Sequence, residues 1–102
     1  MHLIELFLPL YDPQKRPFPR DAYEVVEREL IAQFKGFTAY PRSPARGLWE
    51  KSAADVQHDE LIIYEVMAET LDTPWWKDYR VALEMRFEQA QILIRAQQIQ
   101  IL

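Results

Sequence analysis

Residues 61–67, LIIYEVM, are apolar on both of their alternating phases. A strand turns successive side chains to opposite faces, so Ile62, Tyr64 and Val66 share one face and Leu61, Ile63, Glu65 and Met67 the other. β-branched and aromatic residues dominate the run, which marks it as a central strand that needs cover on both sides. It is far too short to cross a bilayer as a helix. Whatever this chain folds into must therefore place two layers against one sheet.

The rest of the sequence supplies one of those layers. Residues 2–10 carry Ile4, Leu6, Leu8 and Leu10 at a spacing of two, with Leu3, Glu5 and Phe7 between them, which predicts another strand. Residues 12–19 hold three prolines and read as a loop. Asp21 and Glu24 then have the spacing of a capping box, and Tyr23, Val26, Leu30 and Phe34 form an apolar stripe, so a helix is expected up to Gly36, placed as its left-handed cap. A strand restarts at 37–40, is interrupted by Pro41, Pro44 and Gly47, and resumes with Leu48 and Trp49. The polar run 51–60 is a loop or hairpin connection. Asp72, Thr73 and Pro74 open a second helix, whose buried stripe is Trp76, Tyr79, Leu83, Phe87 and Ala90. Residues 92–102 close the chain as a strand whose alternation slips near Gln97 and Gln98.

Strand, helix, strand, strand, helix, strand, with right-handed crossovers, is the order of a ferredoxin-like βαββαβ sandwich. The expectation is an α+β domain spanning residues 1–102, with a four-stranded antiparallel sheet in the order 4-1-3-2 and two helices on one face. A length of 102 residues suits one such domain.

The stretches FTAYPRSPARGLW (37–49), DELIIYEVM (59–67) and WWKDYRVALEMRFEQAQILIRA (75–96), with LFLPLYD at 6–12, resemble a family of short bacterial proteins that form a domain of unknown function. The resemblance implies a ferredoxin-like fold. It implies no activity, and no catalytic residue can be carried over from it.

Charge and composition narrow the function classes. Twelve Lys and Arg against sixteen Asp and Glu leave a formal charge of −4, so a phosphate-backbone binder is excluded. The chain has no cysteine, hence no thiolate nucleophile, disulfide or thiolate metal site. His2 and His58 are its two histidines, and His58, Asp59 and Glu60 lack the spacing of a ligand set, so no metal is expected. Gly36 and Gly47 alone cannot build a phosphate-cradling loop, and no cofactor is expected. The N-terminus lacks the pattern of a signal peptide, which points to a soluble cytoplasmic protein.

Two places remain where a site could lie. With Ile4, Leu6, Leu8, Ile62, Tyr64, Val66, Ile92 and Ile94 turned to the helices, the open face carries Leu3, Phe7, Leu61, Ile63, Met67 and Leu93. Glu5, Glu65, Arg95 and Gln97 lie among them. Such a face calls for a cover, and a second copy in a homodimer is the simplest. Arg95 would then pair with Glu5, Glu65 or both in a covered setting, either as a structural ion pair or as acid/base groups in a cleft. An RNA-binding sheet would instead carry exposed aromatics among basic residues. The second place is the loop of Arg42 and Arg46 beside Trp49, where guanidinium groups could hold a small anion. Trp75 is placed at the edge of the core. The resulting expectation is a dimeric ligand-binding or regulatory domain for a small anionic or aromatic ligand. The alternative is a cofactor-independent enzyme, isomerase- or oxygenase-like, of the dimeric α/β barrel type.

Overall fold

Strand β1 (His2–Pro9) lies in the middle of the sheet, because both of its flanks are taken by antiparallel partners. The structure is a computed structural model that describes residues 1–40, 46–52 and 55–102, with 46–52 and 55–59 described by backbone alone. After β1 come α1 (Arg20–Phe34), β2 (Thr38–Tyr40), β3 (Arg46–Ser52), β4 (Asp55–Ala68), α2 (Thr73–Arg86) and β5 (Ile94–Gln98). The sheet runs β2-β4-β1-β5, and β3 pairs with β4 off that path.

The four-stranded sheet written 4-1-3-2 is thereby replaced by a five-stranded one. With β3 set aside, its path reads 2-3-1-4 from the β2 edge. The addition has a physical cause. Residues 46–52 and 55–60 pair as a hairpin, from Arg46 opposite Glu60 to Ser52 opposite Asp55, with a shift in register between Glu50 and Ser52. Backbone pairing of this kind needs no apolar alternation, so a polar run can be strand without carrying a strand pattern. β4 is accordingly 14 residues long, twice the length of its apolar core.

One face of the sheet meets both helices. Ile4, Leu6 and Leu8 of β1 and Ile62, Tyr64 and Val66 of β4 form one buried cluster with Val26, Leu30, Trp76, Tyr79, Leu83, Phe87 and Ile92. The alternation read from sequence holds through both central strands. Ala90 is exposed beyond the end of α2, and Ile94 is half-buried against the cluster. Aromatic rings close the ends of the core. Phe87 meets Phe18 edge-on at 5.1 Å, and Trp75 stacks on Tyr79 at 4.9 Å from its half-buried position at the core edge.

Helix ends differ in how well they follow the local rules. Asp72 caps α2 by accepting from the Trp75 amide at 3.2 Å, and Pro74 sits in the first turn. At α1 the capping box does not form. Pro19 is the cap residue and makes no side-chain cap bond, Arg20 is already helical, and Glu24 accepts from Arg20 instead. The left-handed residue is Lys35, with φ of 66°, rather than Gly36. Its amide still returns to the Ile31 carbonyl at 2.8 Å, so the cap forms one residue early. β5 likewise ends at Gln98, shorter than the run to Leu102 that alternation suggested.

Candidate functional site

The open face of the sheet is ordered by one row of charges. In the β1–β4 register Glu5 stands opposite Glu65, and in the β1–β5 register it stands opposite Arg95. All three belong to the phase that points away from the helices, as the sequence suggested. Arg95 Nε donates to Glu5 Oε1 at 2.9 Å, and its guanidinium also lies 4.9 Å from the centre of the Phe7 ring. Glu65 has a different partner, the Tyr40 hydroxyl, which donates to Oε2 at 3.4 Å. That proximity of the Glu65 carboxylate, more than any desolvation, pushes the Tyr40 hydroxyl above the usual tyrosine range.

Apolar side chains flank this row on both sides. Leu3, Phe7, Leu61 and Ile63 are half-buried, Met67 is 54% exposed and Leu93 is 47% exposed. The two partners of the ion pair differ in exposure: the Arg95 side chain is 60% exposed, whereas that of Glu5 is largely buried, at 14%. β5 is an edge strand, and Arg95 extends over the Phe7 ring instead of beneath it.

A cleft of about 200 Å³ opens between the start of α2 and β5. Ile4, Trp76 and Ile94 line it, with Lys77, Arg80 and Arg95 among its polar residues. Sequence reasoning missed Lys77 and Arg80, although their signal was present. Thr73, Trp76, Lys77 and Arg80 follow one another at helical spacing and so share a face. A wider hollow of about 360 Å³ is bounded by Glu5, Arg95, Ala96 and Gln97.

The second candidate falls largely outside the described residues. Arg42 lies outside the described residues, as do the side chains of Arg46 and Trp49. Arg46 and Gly47 belong by backbone to β3 rather than to a loop, with Arg46 opposite Glu60, and Trp49 lies on the same strand, as expected, opposite Gln57. His58 is likewise on β4, opposite Leu48. Among the described residues no three His, Asp or Glu side chains gather as metal ligands. Among the described residues His2 Nδ1, on the core side of β1, is buried and finds no hydrogen-bond partner.

Other polar contacts tie the helices to each other and to the sheet. Arg86 grips both carboxylate oxygens of Glu29, Nη2 reaching Oε2 at 2.8 Å, and the Tyr79 hydroxyl donates to the same group at 3.1 Å. The Tyr23 hydroxyl donates to the Pro9 carbonyl at 2.6 Å. Glu84 accepts from the Ile92 amide at 2.9 Å and fixes the approach to β5.

No family model matches this chain, and no curated protein matches it. Among solved structures it is similar to a phage SAM lyase in complex with S-methyl-5′-thioadenosine. The TM-score is 0.55 at 18% identity, over 95% of this chain and 80% of that one. At that identity the likeness is one of fold, an α+β sandwich with an open antiparallel sheet. Among the described residues no helix is long and apolar enough to cross a membrane.

Proposed function

We propose that this chain is a binding and regulatory domain of ferredoxin-like build that acts as a homodimer joined through the open sheet face. One observation carries the reading. Six apolar side chains remain half-buried or exposed on that face, around a row of two carboxylates and one arginine in which Arg95 bonds to Glu5. A surface of this size and character is unusual for a lone soluble protomer, and two such sheets cover one another by face-to-face packing. The reading of a small anionic or aromatic ligand draws support from the cleft, where Trp76 offers an aromatic wall and Lys77 and Arg80 positive charge. Sedimentation equilibrium at micromolar concentration tests the assembly: a dimer is expected, and a stable monomer overturns the reading.

A second reading has support from the fold likeness and the same cleft. In it the chain is a cofactor-independent enzyme whose substrate is an adenosyl sulfonium compound, as the phage lyase's name and bound thioether suggest. Incubation with S-adenosylmethionine, followed by chromatography for S-methyl-5′-thioadenosine, decides it. Release of the thioether above the uncatalysed background supports the enzyme. Neither turnover nor a thermal shift with either compound leaves the binding domain.

A further inference from the structure

The charge row on the open face constrains how a second copy can sit on it. Glu65, Glu5 and Arg95 occupy matched positions on three neighbouring strands, β4, β1 and β5. Neighbouring strands lie about 4.8 Å apart, so the row reads negative, negative, positive in nearly even steps with Glu5 at its centre. Two sheets packed face to face are related by a two-fold axis lying in the interface. Aligned packing leaves two directions for that axis, across the strands or along them.

An axis across the strands and along the row would set every charge on its own copy: glutamate on glutamate twice, arginine on arginine once. Like charges facing each other in a drying interface are strongly unfavourable. An axis along β1 reverses the row. Glu65 then faces Arg95 of the partner subunit, and the same contact recurs by symmetry. The two Glu5 carboxylates meet at the axis, each beside the arginine of its own protomer. The groups are free to do this. Among the described residues Arg95 bonds to a carboxylate through Nε alone, and Glu65 has only the long Tyr40 contact. The flanking rows fit as well. Ile63 and Leu93 flank Phe7 on opposite sides, so the same axis lays Ile63 over Leu93 of the partner subunit.

We infer that the open face binds a second copy of this chain with the two-fold axis along β1, so that Glu65 of each protomer pairs with Arg95 of the other. The inference rests on the dimer reading above and deepens it. The two ends of the row are complementary about that axis, with each central Glu5 bonded to the arginine of its own protomer, and this favours a second copy as the occupant.

Charge exchange tests it with a built-in control. Glu65→Arg places a cation beside Glu5 within the protomer, which favours the fold, yet sets two guanidinium groups against each other across the interface. Sedimentation equilibrium is expected to show its dimer weakened about tenfold or more, while a dilute thermal melt shows no loss of protomer stability. Arg95→Glu is expected to weaken the dimer as well, and Arg95→Gln takes its place if three adjacent carboxylates prevent folding. The combined Glu65→Arg, Arg95→Glu variant restores both the contact within the protomer and the contact between protomers, and its dimer is expected to return to within about threefold of wild type. A Glu65→Arg dimer as tight as wild type overturns the inference, and so does a combined variant no tighter than the single ones. A wild-type chain that stays monomeric overturns instead the dimer reading beneath it.

Discussion

The Tyr64 hydroxyl donates a 2.7 Å hydrogen bond to Glu27 Oε2, joining the central strand β4 to helix α1. Tyr64 is fully buried, whereas Glu27 lies on a flank of the helix that its sequence pattern assigns to water. Tyr64→Phe is expected to destabilise the protein by about 1.5–3 kcal/mol, the range for a hydrogen bond to a charged group. Glu27→Leu leaves the hydroxyl without that partner and is expected to cost about 1–3 kcal/mol. Because both changes remove the same bond, the double variant should lose less than the sum of the two. Urea denaturation of all three variants checks this.

Burial pushes three tyrosines above the ordinary range: Tyr23 to about 12, and Tyr64 and Tyr79 higher still, the latter two also facing glutamate oxygens. Their folded values lie above their unfolded ones. The stability they contribute is present in full below about pH 10 and is lost as pH rises through the folded values. In a spectrophotometric titration of the folded protein these three should stay protonated at about pH 10, where a free tyrosine is half ionised. Adding denaturant at that pH should release their absorbance.

Acid should act on the bridge between the helices. The hydrogen bonds from Arg86 hold the Glu29 carboxyl below its ordinary 4.5, with Tyr79 adding to the effect. Its folded value is thus below its unfolded one, so its contribution is present above the ordinary value and lost as pH falls through the folded one. Arg86→Met removes the cause. Melting temperatures measured from about pH 6 to 3 should fall less steeply in that variant than in wild type.

Arg95→Met separates a lone protomer from an assembled one. With the arginine largely exposed, dilute protein should lose less than about 1 kcal/mol, as exposed ion pairs do. At concentrations where the dimer forms, the same change leaves carboxylates covered without a cation, and the loss should approach about 3–5 kcal/mol. Denaturation curves at two protein concentrations give both numbers.

Much of this architecture was legible in the residues. Period-two alternation in β1, in the LIIYEVM segment and at the start of β5 correctly assigned Glu5, Glu65 and Arg95 to one face. The Trp76, Tyr79, Leu83, Phe87 stripe located α2, and Asp72 with Pro74 located its start. What escaped were features without a periodic signal. The hairpin arm of β3 with the first residues of β4 is held by backbone pairing among polar residues. The cap of α1 falls at Lys35 because the geometry of the last turn, and not the position of a glycine, sets where the left-handed residue comes. The exposure of Arg95 follows from its place on an edge strand, which alternation alone does not reveal. The cleft beside Trp76 needed α2 and β5 to be set next to each other, a relation between segments distant in the chain.

The central position of β1 also has a consequence for how the molecule comes into being. His2 pairs with Ala68 on one flank and with Gln98 on the other. β1 is made before the other strands and therefore keeps both hydrogen-bonding edges open until two much later segments arrive. At about 5–20 residues per second, the wait for β5 lasts roughly 5–20 s. Pairings so remote in sequence also close large loops, which makes folding slow compared with a helical bundle of equal size. During that interval the exposed, alternating LIELFL segment offers a template to any neighbouring chain. Newly made chains are thus most prone to aggregate before β5 is added, and truncation within β5 should leave them there.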